Sequence, residues 1–316
     1  MRLTPSEEQL DLQGGVRDFV RKAWSDQRIR AALDQPFDVE GWVELDALGL
    51  FDLDGLGGLA TATIVLEELG RALVPGPLVA TMLARRLVPG AFMATCLDRT
   101  QQPVVEHLDS ATHVVVLGER VGVVATSDVQ WRPLEPLDPL TPVGFVEGVR
   151  AHPTGSAAAD PWRLSATLLS AALAVGVAQG ALDLATSYAK QRVQFGRPIG
   201  SFQAIKHLLA DMLARTEVAR SAVWWAAATA DDPDVGDPRR ATSSAALLAT
   251  DAATANGRAG IQIHGGMGFT WEVLAHLYAK RAWVLRTAFG SPQAHTRIVA
   301  DSLKESCSVG VSDDPP

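Results

Sequence analysis

The sequence predicts a mainly α-helical protein with a reduced β region in its middle and a bundle of long helices in its C-terminal half. Apolar residues recur at helical spacing in the N-terminal part, β-branched stretches cluster in the middle, and several long helical segments follow. These patterns divide the chain into an N-terminal helical domain (1–102), a reduced β domain (103–152), a C-terminal helical bundle (153–305) and a polar tail (306–316). The tail ends in prolines and is expected to be disordered.

The N-terminal part is predicted to begin with a helix over 5–24. This helix follows the start signal Thr4-Pro5, and its apolar residues recur at roughly helical spacing. Further helices are predicted over 40–48, 61–73 and 80–88. Pro75 stops the helix before it, because proline cannot continue a helix.

The middle region is predicted to be β-structure because its segments are short, β-branched and bounded by turn-forming residues. The stretches HVVVLG (113–118) and VGVVATS (121–127) are expected to be strands. The proline-rich stretch 131–149 is expected to be extended, with one more strand at its end. A region of this size is small for an independent domain, so it is expected to pack on its neighbours.

The C-terminal part contains the longest predicted helix, which begins at Asp160-Pro161 and continues to Arg192 without an interior proline. About 30 residues correspond to a helix about 45 Å long. The segment is apolar on nearly every side, which is typical of a helix inside a bundle or an oligomer. The other bundle helices are predicted over 201–230, 238–263, 270–287 and 292–303.

Composition limits the functions to consider. The formal net charge of -8 disfavours nucleic acid as a partner, and the apolar runs are interrupted in a way that disfavours a membrane span. Cys96 and Cys307 are the only cysteines, too few for a disulfide framework or a cysteine metal cluster, and the seven histidines lack metal-ligand spacing. We therefore expect no metal and a cytoplasmic location.

The stretch QRVQFGRPIGSFQ (191–203) joins two of the long helices through a turn. Taken alone, Arg192 is typical of a helix end, where a cation interacts favourably with the helix dipole. Phe195 alone is typical of a side chain that fills the core, and Gln203 of a solvated first turn. The alternative is that Arg192, Gln194 and Phe195 form one wall of a binding site.

The stretch IQIHGGMGFTWE (261–272) has the same two interpretations. Gly265-Gly266 would end one helix and Thr270 would cap the next. Alternatively, the glycines let the backbone approach a ligand, and Gln262 offers an amide. A single histidine such as His264 is more often a packing residue than a ligand.

Together, the two stretches resemble the C-terminal helical domain of acyl-CoA dehydrogenases. RVQFGRPIGSFQAIKHLLADM is similar to the family's helix-turn-helix signature, and IQIHGGMGFTWEVLAHLYAKRA is similar to its second signature. LDGLGGL and LEELGRALVPGP resemble the family's N-terminal helical domain. The resemblance is strong over about 160–305, moderate over 1–100 and weak over 101–152, and it implies an acyl-CoA dehydrogenase-like fold.

The resemblance also implies a cofactor. In this family FAD lies between subunits, and the C-terminal bundle of one subunit reaches the FAD held mainly by its neighbour. By motif match, Arg192 is expected to contact the pyrophosphate, because a guanidinium suits phosphate oxygens. The other predicted cofactor-binding residues are Gln194, Phe195, Gln203, Gln262, Gly265 and Gly266.

The family's catalytic glutamate has no counterpart at the matching positions. That glutamate removes the proton α to the thioester carbonyl. Here the segment RTAFGSP places Phe289 or Ala288 at the usual position, and the alternative position falls at or near Ala166. None of these side chains can act as a base, so no catalytic residue is assigned to this chain. Glu272 is interpreted as a helix-start residue and not as the base.

The family's own-chain flavin contacts are also not recognisable, so the chain resembles the short subunits of heterotetrameric acyl-CoA dehydrogenases of actinobacteria. Several of these act on CoA thioesters of steroid fragments. The implied partners are a full-length acyl-CoA dehydrogenase subunit, an acyl-CoA substrate and an electron-transfer flavoprotein. Small residues at Ala166 and Thr167 predict room for a bulky acyl group. Two alternatives stay open: a self-sufficient homotetrameric dehydrogenase with a relocated base, and a non-catalytic protein for acyl-CoA binding or assembly.

Overall fold

The computed structural model describes residues 4–34, 38–88, 90, 92–151, 155, 157–232, 234 and 236–309. Helices form most of this part of the chain, which confirms the predicted mainly α architecture. The helices are α1 (Glu7–Ala23), α2 (Asp26–Ala31), α3 (Val39–Ala47), α4 (Leu59–Arg71), α5 (Leu78–Ala84), α6 (Ala159–Gln191), α7 (Gln203–Asp231), α8 (Pro238–His264), α9 (Ala275–Leu285) and α10 (Pro292–Val309). The strands are β1 (Ala94–Asp98), β2 (Val104–Glu106), β3 (His113–Leu117), β4 (Val121–Ala125), β5 (Val129–Leu134), β6 (Val143–Val149), β7 (Val193–Gln194) and β8 (Arg197–Pro198).

The N-terminal helices follow the sequence prediction closely. α1 begins at a capping box, in which the Ser6 hydroxyl accepts from the Gln9 amide at 3.2 Å and the Gln9 side chain accepts from the Ser6 amide at 3.0 Å. Helices α1, α3, α4 and α5 correspond to the four predicted ones. The six-residue helix α2 was not predicted, because one and a half turns are too short to show a helical period.

The β region begins earlier than the sequence predicts. One sheet has the order β1-β3-β4, with β1 parallel to β3, and the other has the order β2-β6-β5 and is antiparallel. The first strand starts at Ala94, ahead of the predicted start at 103, because β1 is defined by its pairing with β3 more than by its own composition. The proline-rich stretch contains β5 as well as β6. Pro133 is tolerated there because β5 is an edge strand.

Two ion pairs attach the β region to the long helices, as expected for a region that packs on its neighbours. Arg163 in α6 donates to both carboxylate oxygens of Asp98, at 3.0 and 3.1 Å. Arg281 in α9 donates to the fully buried carboxylate of Asp138 at 2.6 Å. The short β region is therefore held in place by contacts to the bundle.

Helix α6 lies at the centre of the bundle and packs on α4 so closely that their backbones touch. A Cβ atom at Gly176 would lie 2.0 Å from the carbonyl oxygen of Glu67, and one at Gly70 would lie 2.2 Å from that of Leu173. By length and composition α6 could span a membrane, but most of its apolar stretch is buried inside the protein. This burial is typical of the core helix that the sequence predicts.

Two predicted boundaries in the C-terminal part are wrong. α9 begins at Ala275 and not at Thr270, so Thr270 is no helix cap; its hydroxyl donates to the carbonyl of Met267 within a turn. α10 continues to Val309, into the stretch predicted as a disordered tail from 306. Residues 310–316 of that tail lie outside the described residues.

Candidate functional site

The first motif forms a tight hairpin directly after α6. β7 pairs with β8, and the two turn residues Phe195 and Gly196 have φ of 54° and 75°. Positive φ at both central residues is the requirement of a type I′ turn. The turn projects the Phe195 ring into solvent, where it is 91% exposed and meets the Phe202 ring edge-on at 6.1 Å between ring centroids. The exposure excludes the alternative interpretation of Phe195 as a side chain that fills the core.

Arg192 and Gln203 flank this hairpin and are both exposed. Neither side chain has a hydrogen-bond or ion-pair partner among the residues that the structure describes. Gln203 is the first residue of α7, and Phe202 before it provides no side-chain cap, so the first amides of α7 are open. Gln194 differs, since its side-chain amide donates to the carbonyl of Val193 at 2.8 Å.

The second motif lies at the C-terminal end of α8. Gly265 has φ of 60° and ends the helix, and a 3-10 turn follows over Gly265–Phe269. A Cβ atom at Gly265 or Gly266 would meet no atom within 4 Å, whereas one at Gly268 would lie 2.5 Å from the carbonyl of Ile261. Gly268 is thus required for packing. Gly266 and the exposed side chain of Gln262 have no packing role that the chain itself explains.

A contact between aromatic rings brings the two motifs to one end of the bundle. Tyr188, one turn before the end of α6, stacks on His264 at 4.2 Å between ring centroids and an interplanar angle of 25°. The ring of His264 donates from Nδ1 to the carbonyl of Gly260 at 2.7 Å, and burial lowers its pKa. His264 is therefore a neutral packing residue. Sequence analysis missed Tyr188, although its position four residues before Arg192 places both on one helix face.

The positions of the missing base lie near the other end of α6. Ala166 is fully buried, and Phe289 packs edge-on against Trp162 at 5.9 Å between ring centroids. The hydroxyl of Thr167 lies 3.5 Å from the carbonyl oxygen of Phe289. A cavity of about 400 Å³ adjoins these residues, and Asp160, the carboxylate on its lining, is paired with Arg163. The structure thus brings the two expected base positions together but places apolar side chains there.

One contact to the second motif has no sequence signal. Arg30 in α2 donates to the backbone carbonyls of Trp271, at 2.5 Å, and of Glu272. Glu272 lies before the start of α9, so the interpretation of its carboxylate as a helix-start residue is wrong. The N-terminal helices therefore touch the segment between α8 and α9 directly.

The exposed groups at the end of the bundle that carries both motifs fit the FAD that the resemblance implies. A free guanidinium and the open amides of a 29-residue helix suit phosphate oxygens. The carboxamides of Gln203 and Gln262 can donate and accept, and the open space at Gly265 and Gly266 allows a ligand to approach the backbone. An exposed aromatic ring adds apolar contact area. The donor set is therefore compatible with a dinucleotide that this chain touches from outside.

Comparisons with known proteins bear on the family of the chain. The family model described as acyl-CoA dehydrogenase, C-terminal domain, matches residues 165–304. The chain is 35% identical to the acyl-CoA dehydrogenase IpdE2 of Mycobacterium tuberculosis, over 96% of this chain and 100% of that protein. It is also 35% identical to FadE34 of the same organism, over 89% of this chain and 46% of that longer protein.

Solved structures show the same fold. The ChsE4-ChsE5 complex from Mycobacterium tuberculosis matches with a TM-score of 0.83 and 27% identity, over 96% of this chain and 99% of that one. The Tcur3481-Tcur3483 steroid ACAD matches with a TM-score of 0.82 and 26% identity, over 96% of this chain and 99% of that one. Since a relative of 35% identity is covered over its whole length, the chain belongs to the acyl-CoA dehydrogenase family.

Proposed function

We propose that this chain is the short, base-less subunit of a heterotetrameric acyl-CoA dehydrogenase and that it completes an FAD site held mainly by a full-length partner subunit. The observation that carries this proposal is a difference between two sets of positions: the predicted cofactor-binding residues are exposed, and the positions of the catalytic base are apolar. Arg192, Gln203 and Gln262 are exposed without partners among the described residues, while the base positions hold Ala166 and Phe289. Two similar solved structures are described as pairs, ChsE4-ChsE5 and Tcur3481-Tcur3483, which supports a paired assembly.

FAD is the cofactor of the family, and it supplies the hydride acceptor for α,β-dehydrogenation of an acyl-CoA. In this chain, Arg192 binds the pyrophosphate, and the open amides at the start of α7 add donors to the same charge. Gln203 and Gln262 orient the cofactor through their carboxamides, and Gly265 and Gly266 let the backbone approach it. Phe195 covers an apolar part of the ligand and excludes water there. The proton at the substrate α-carbon is removed by a glutamate of the partner.

The proposed substrate is a CoA thioester derived from a steroid, and the proposed electron acceptor is an electron-transfer flavoprotein. The description of Tcur3481-Tcur3483 as a steroid ACAD supports the substrate class. The proposed location is the cytoplasm, where CoA thioesters and reduced cysteines both occur. A comparison of kcat/KM for steroid-derived thioesters with that for butyryl-CoA and octanoyl-CoA tests the substrate. Turnover of the straight-chain substrates alone contradicts it and leaves the subunit assignment unchanged.

The stoichiometry of FAD tests the assembly. The chain is expected to purify alone without FAD and without activity. Co-expressed with a full-length acyl-CoA dehydrogenase from the same gene neighbourhood, it is expected to give one FAD for each pair of subunits. FAD bound to every subunit would favour a self-sufficient enzyme. A folded complex that binds acyl-CoA without any flavin would favour a non-catalytic protein.

Arg192→Ala tests the site. A charge-assisted hydrogen bond contributes roughly 1.5–3 kcal/mol, so the FAD dissociation constant of the complex is expected to rise about ten- to a hundredfold. Lys190→Ala is the matched control, because Lys190 is an exposed cation in the last turn of α6. Flavin fluorescence during dilution measures the affinity, and thermal unfolding checks the fold. Equal FAD affinity in both variants would restore the interpretation of Arg192 as an ordinary helix end.

A further inference from the structure

Arg30 connects the N-terminal helices to the segment that carries the second glycine motif. Its guanidinium donates to two consecutive backbone carbonyls, of Trp271 and Glu272. These two residues lie at the end of the segment 265–274, between α8 and α9. A planar fork of donors suits two neighbouring acceptors better than a point charge does. The contact therefore fixes both the position and the orientation of this stretch of backbone.

The residue that carries this guanidinium is itself held rigidly. Ile29, its neighbour in α2, is buried in the core with 1% of its surface exposed. Arg28 donates to the carboxylate of Asp38 at 2.5 Å and to the carbonyl of Ala23 at 2.9 Å, and Ser25 caps the helix. Although α2 is short, its packing and these bonds restrain it. The backbone that carries Arg30 is therefore restrained.

Between its packed residues Gly268 and Leu274, the segment has few other contacts. Its beginning is held where Gly268 packs on the carbonyl of Ile261. Near its end, the Trp271 ring contacts His276 and Lys280, which both belong to the following helix α9. Among the described residues, the hydrogen bonds that join 265–274 to the N-terminal helices come from Arg30. Leu274, the last residue of the segment, is buried with 5% of its surface exposed. Arg30 therefore restrains the stretch at Trp271 and Glu272, between Gly268 and Leu274.

We propose that Arg30 is a positioning residue for the cofactor-facing segment, and that it couples the N-terminal helical domain to FAD affinity without touching FAD. This proposal rests on the proposed function, because it assumes that Gly265 and Gly266 face the cofactor. When the guanidinium is removed, the stretch at Trp271 and Glu272 gains freedom, and binding of FAD to the same segment must restrict that freedom again. The affinity for FAD then decreases and the mobility of one segment increases, while α2, anchored by Ile29, stays folded.

The experiment compares Arg30→Ala with two other variants of the chain in complex with its partner. Arg30→Lys keeps the charge but replaces the fork with a single ammonium. Arg21→Ala is the matched control, because Arg21 is an exposed arginine of α1 that pairs with Asp18 at 3.1 Å on the surface. Arg30→Ala is expected to raise the FAD dissociation constant by about three- to tenfold, Arg30→Lys by less, and Arg21→Ala not at all.

Two measurements do not depend on FAD. Amide hydrogen exchange of the full-length chain is expected to become faster in 265–274 in Arg30→Ala while exchange in α6 and α8 is unchanged. Tryptophan fluorescence is expected to change in Arg30→Ala, and the change is expected to vanish in a Trp271→Phe background, since Trp271 carries one of the two bonded carbonyls.

The outcomes separate this proposal from the proposed function. If Arg192→Ala weakens FAD binding and Arg30→Ala changes neither FAD affinity nor exchange in 265–274, Arg30 has no positioning role and the subunit assignment stands. If exchange becomes faster throughout α1 and α2 and the melting temperature falls in proportion to the affinity, the role is general stabilisation and the proposal is overturned. If Arg192→Ala does not change the FAD affinity of the complex, the proposed function is contradicted, and the role of Arg30 in FAD binding is contradicted with it.

Discussion

The two ends of α6 differ in how their polar and aromatic side chains are satisfied. At the C-terminal end, Arg192 is exposed without a partner among the described residues, and Phe195 projects into solvent. At the N-terminal end, Arg163 is bonded to two carboxylates and a backbone carbonyl, and Trp162 packs on Phe289. One helix therefore has an open end and a closed end.

The difference follows from what each end contacts. An exposed cation keeps its hydration and has no desolvation cost, and it forms a strong charge-assisted hydrogen bond when it binds an anion from another molecule. An aromatic pair packed in the interior stabilises the chain by itself but offers no group for chemistry. The closed end contributes to folding, and the open end carries the groups that the proposed function assigns to FAD.

The largest expected effect is at the closed end. Trp162→Ala removes a large side chain that is 8% exposed, and such a change in a core costs about 3–5 kcal/mol of unfolding free energy. Phe195→Ala removes an aromatic side chain that is 91% exposed, so it is expected to cost less than about 1 kcal/mol. Urea unfolding followed by far-UV circular dichroism measures both values.

Trp162→Phe is the matched control for this comparison. It keeps an aromatic ring near Phe289 and removes an indole N–H that is buried without a hydrogen-bond partner, so it is expected to cost much less than Trp162→Ala. If Trp162→Ala and Phe195→Ala destabilised the chain equally, the distinction between a closed and an open end would be wrong.

The second largest effect is expected at the open end, where two neighbouring glycines should differ: one should affect stability and the other FAD affinity. Gly265 has φ of 60°, so Gly265→Ala is expected to cost about 1–3 kcal/mol of stability through backbone strain. Gly266 has no positive φ, and a Cβ there meets no atom within 4 Å, so Gly266→Ala is expected to leave the unfolding free energy unchanged. The added methyl group is nevertheless expected to lower the FAD affinity of the complex, because it occupies the space through which a ligand reaches the backbone.

Flavin titration and thermal unfolding of both variants measure this separation. Normal FAD affinity in Gly266→Ala would mean that the open space at this glycine is plain solvent. A clear loss of stability in the same variant would instead mean that Gly266 has a packing role within the chain.

The fold was largely predictable because the long helices have clear start signals and long runs without an interior proline. Asp160-Pro161 and the uninterrupted apolar run led to a start within one or two residues of Ala159, where α6 begins. The errors lie where a boundary depends on distant contacts. The strand β1 is a strand because β3 pairs with it. The turn before Ala275 contains residues that would also suit a helix, so the sequence pattern placed the start of α9 at Thr270.

The candidate site was predictable only as far as it is local. The hairpin at Phe195-Gly196 and the helix end at Gly265 lie in contiguous stretches, so a motif could identify them. The stacking of Tyr188 on His264 joins residues 76 positions apart, and the bond from Arg30 to Trp271 spans 241 positions. No local pattern encodes such contacts, since they depend on how the helices pack.

The smallest expected effect concerns pH and compares one histidine near each end. His264 lies at the open end and His295 lines the cavity beside Phe289 at the closed end. Burial lowers the pKa of both, so the folded chain favours their neutral forms. The unfolded chain therefore binds more protons as the pH falls through the ordinary histidine pKa. Stability is full above that pKa and decreases as the medium becomes more acidic.

Both His264→Phe and His295→Phe are expected to reduce the loss of stability between pH ~7.5 and ~5.5, because each removes one group that must be protonated on unfolding. The difference between urea midpoints at the two pH values measures this effect. The two buried histidines can also be told apart in the complex. If FAD covers the open end, it buries His264 further and leaves the surroundings of His295 unchanged. FAD should then make the stability of the complex more dependent on pH, and His264→Phe should abolish this added dependence while His295→Phe should not. If both variants abolished it equally, the cofactor would not distinguish the two ends of α6.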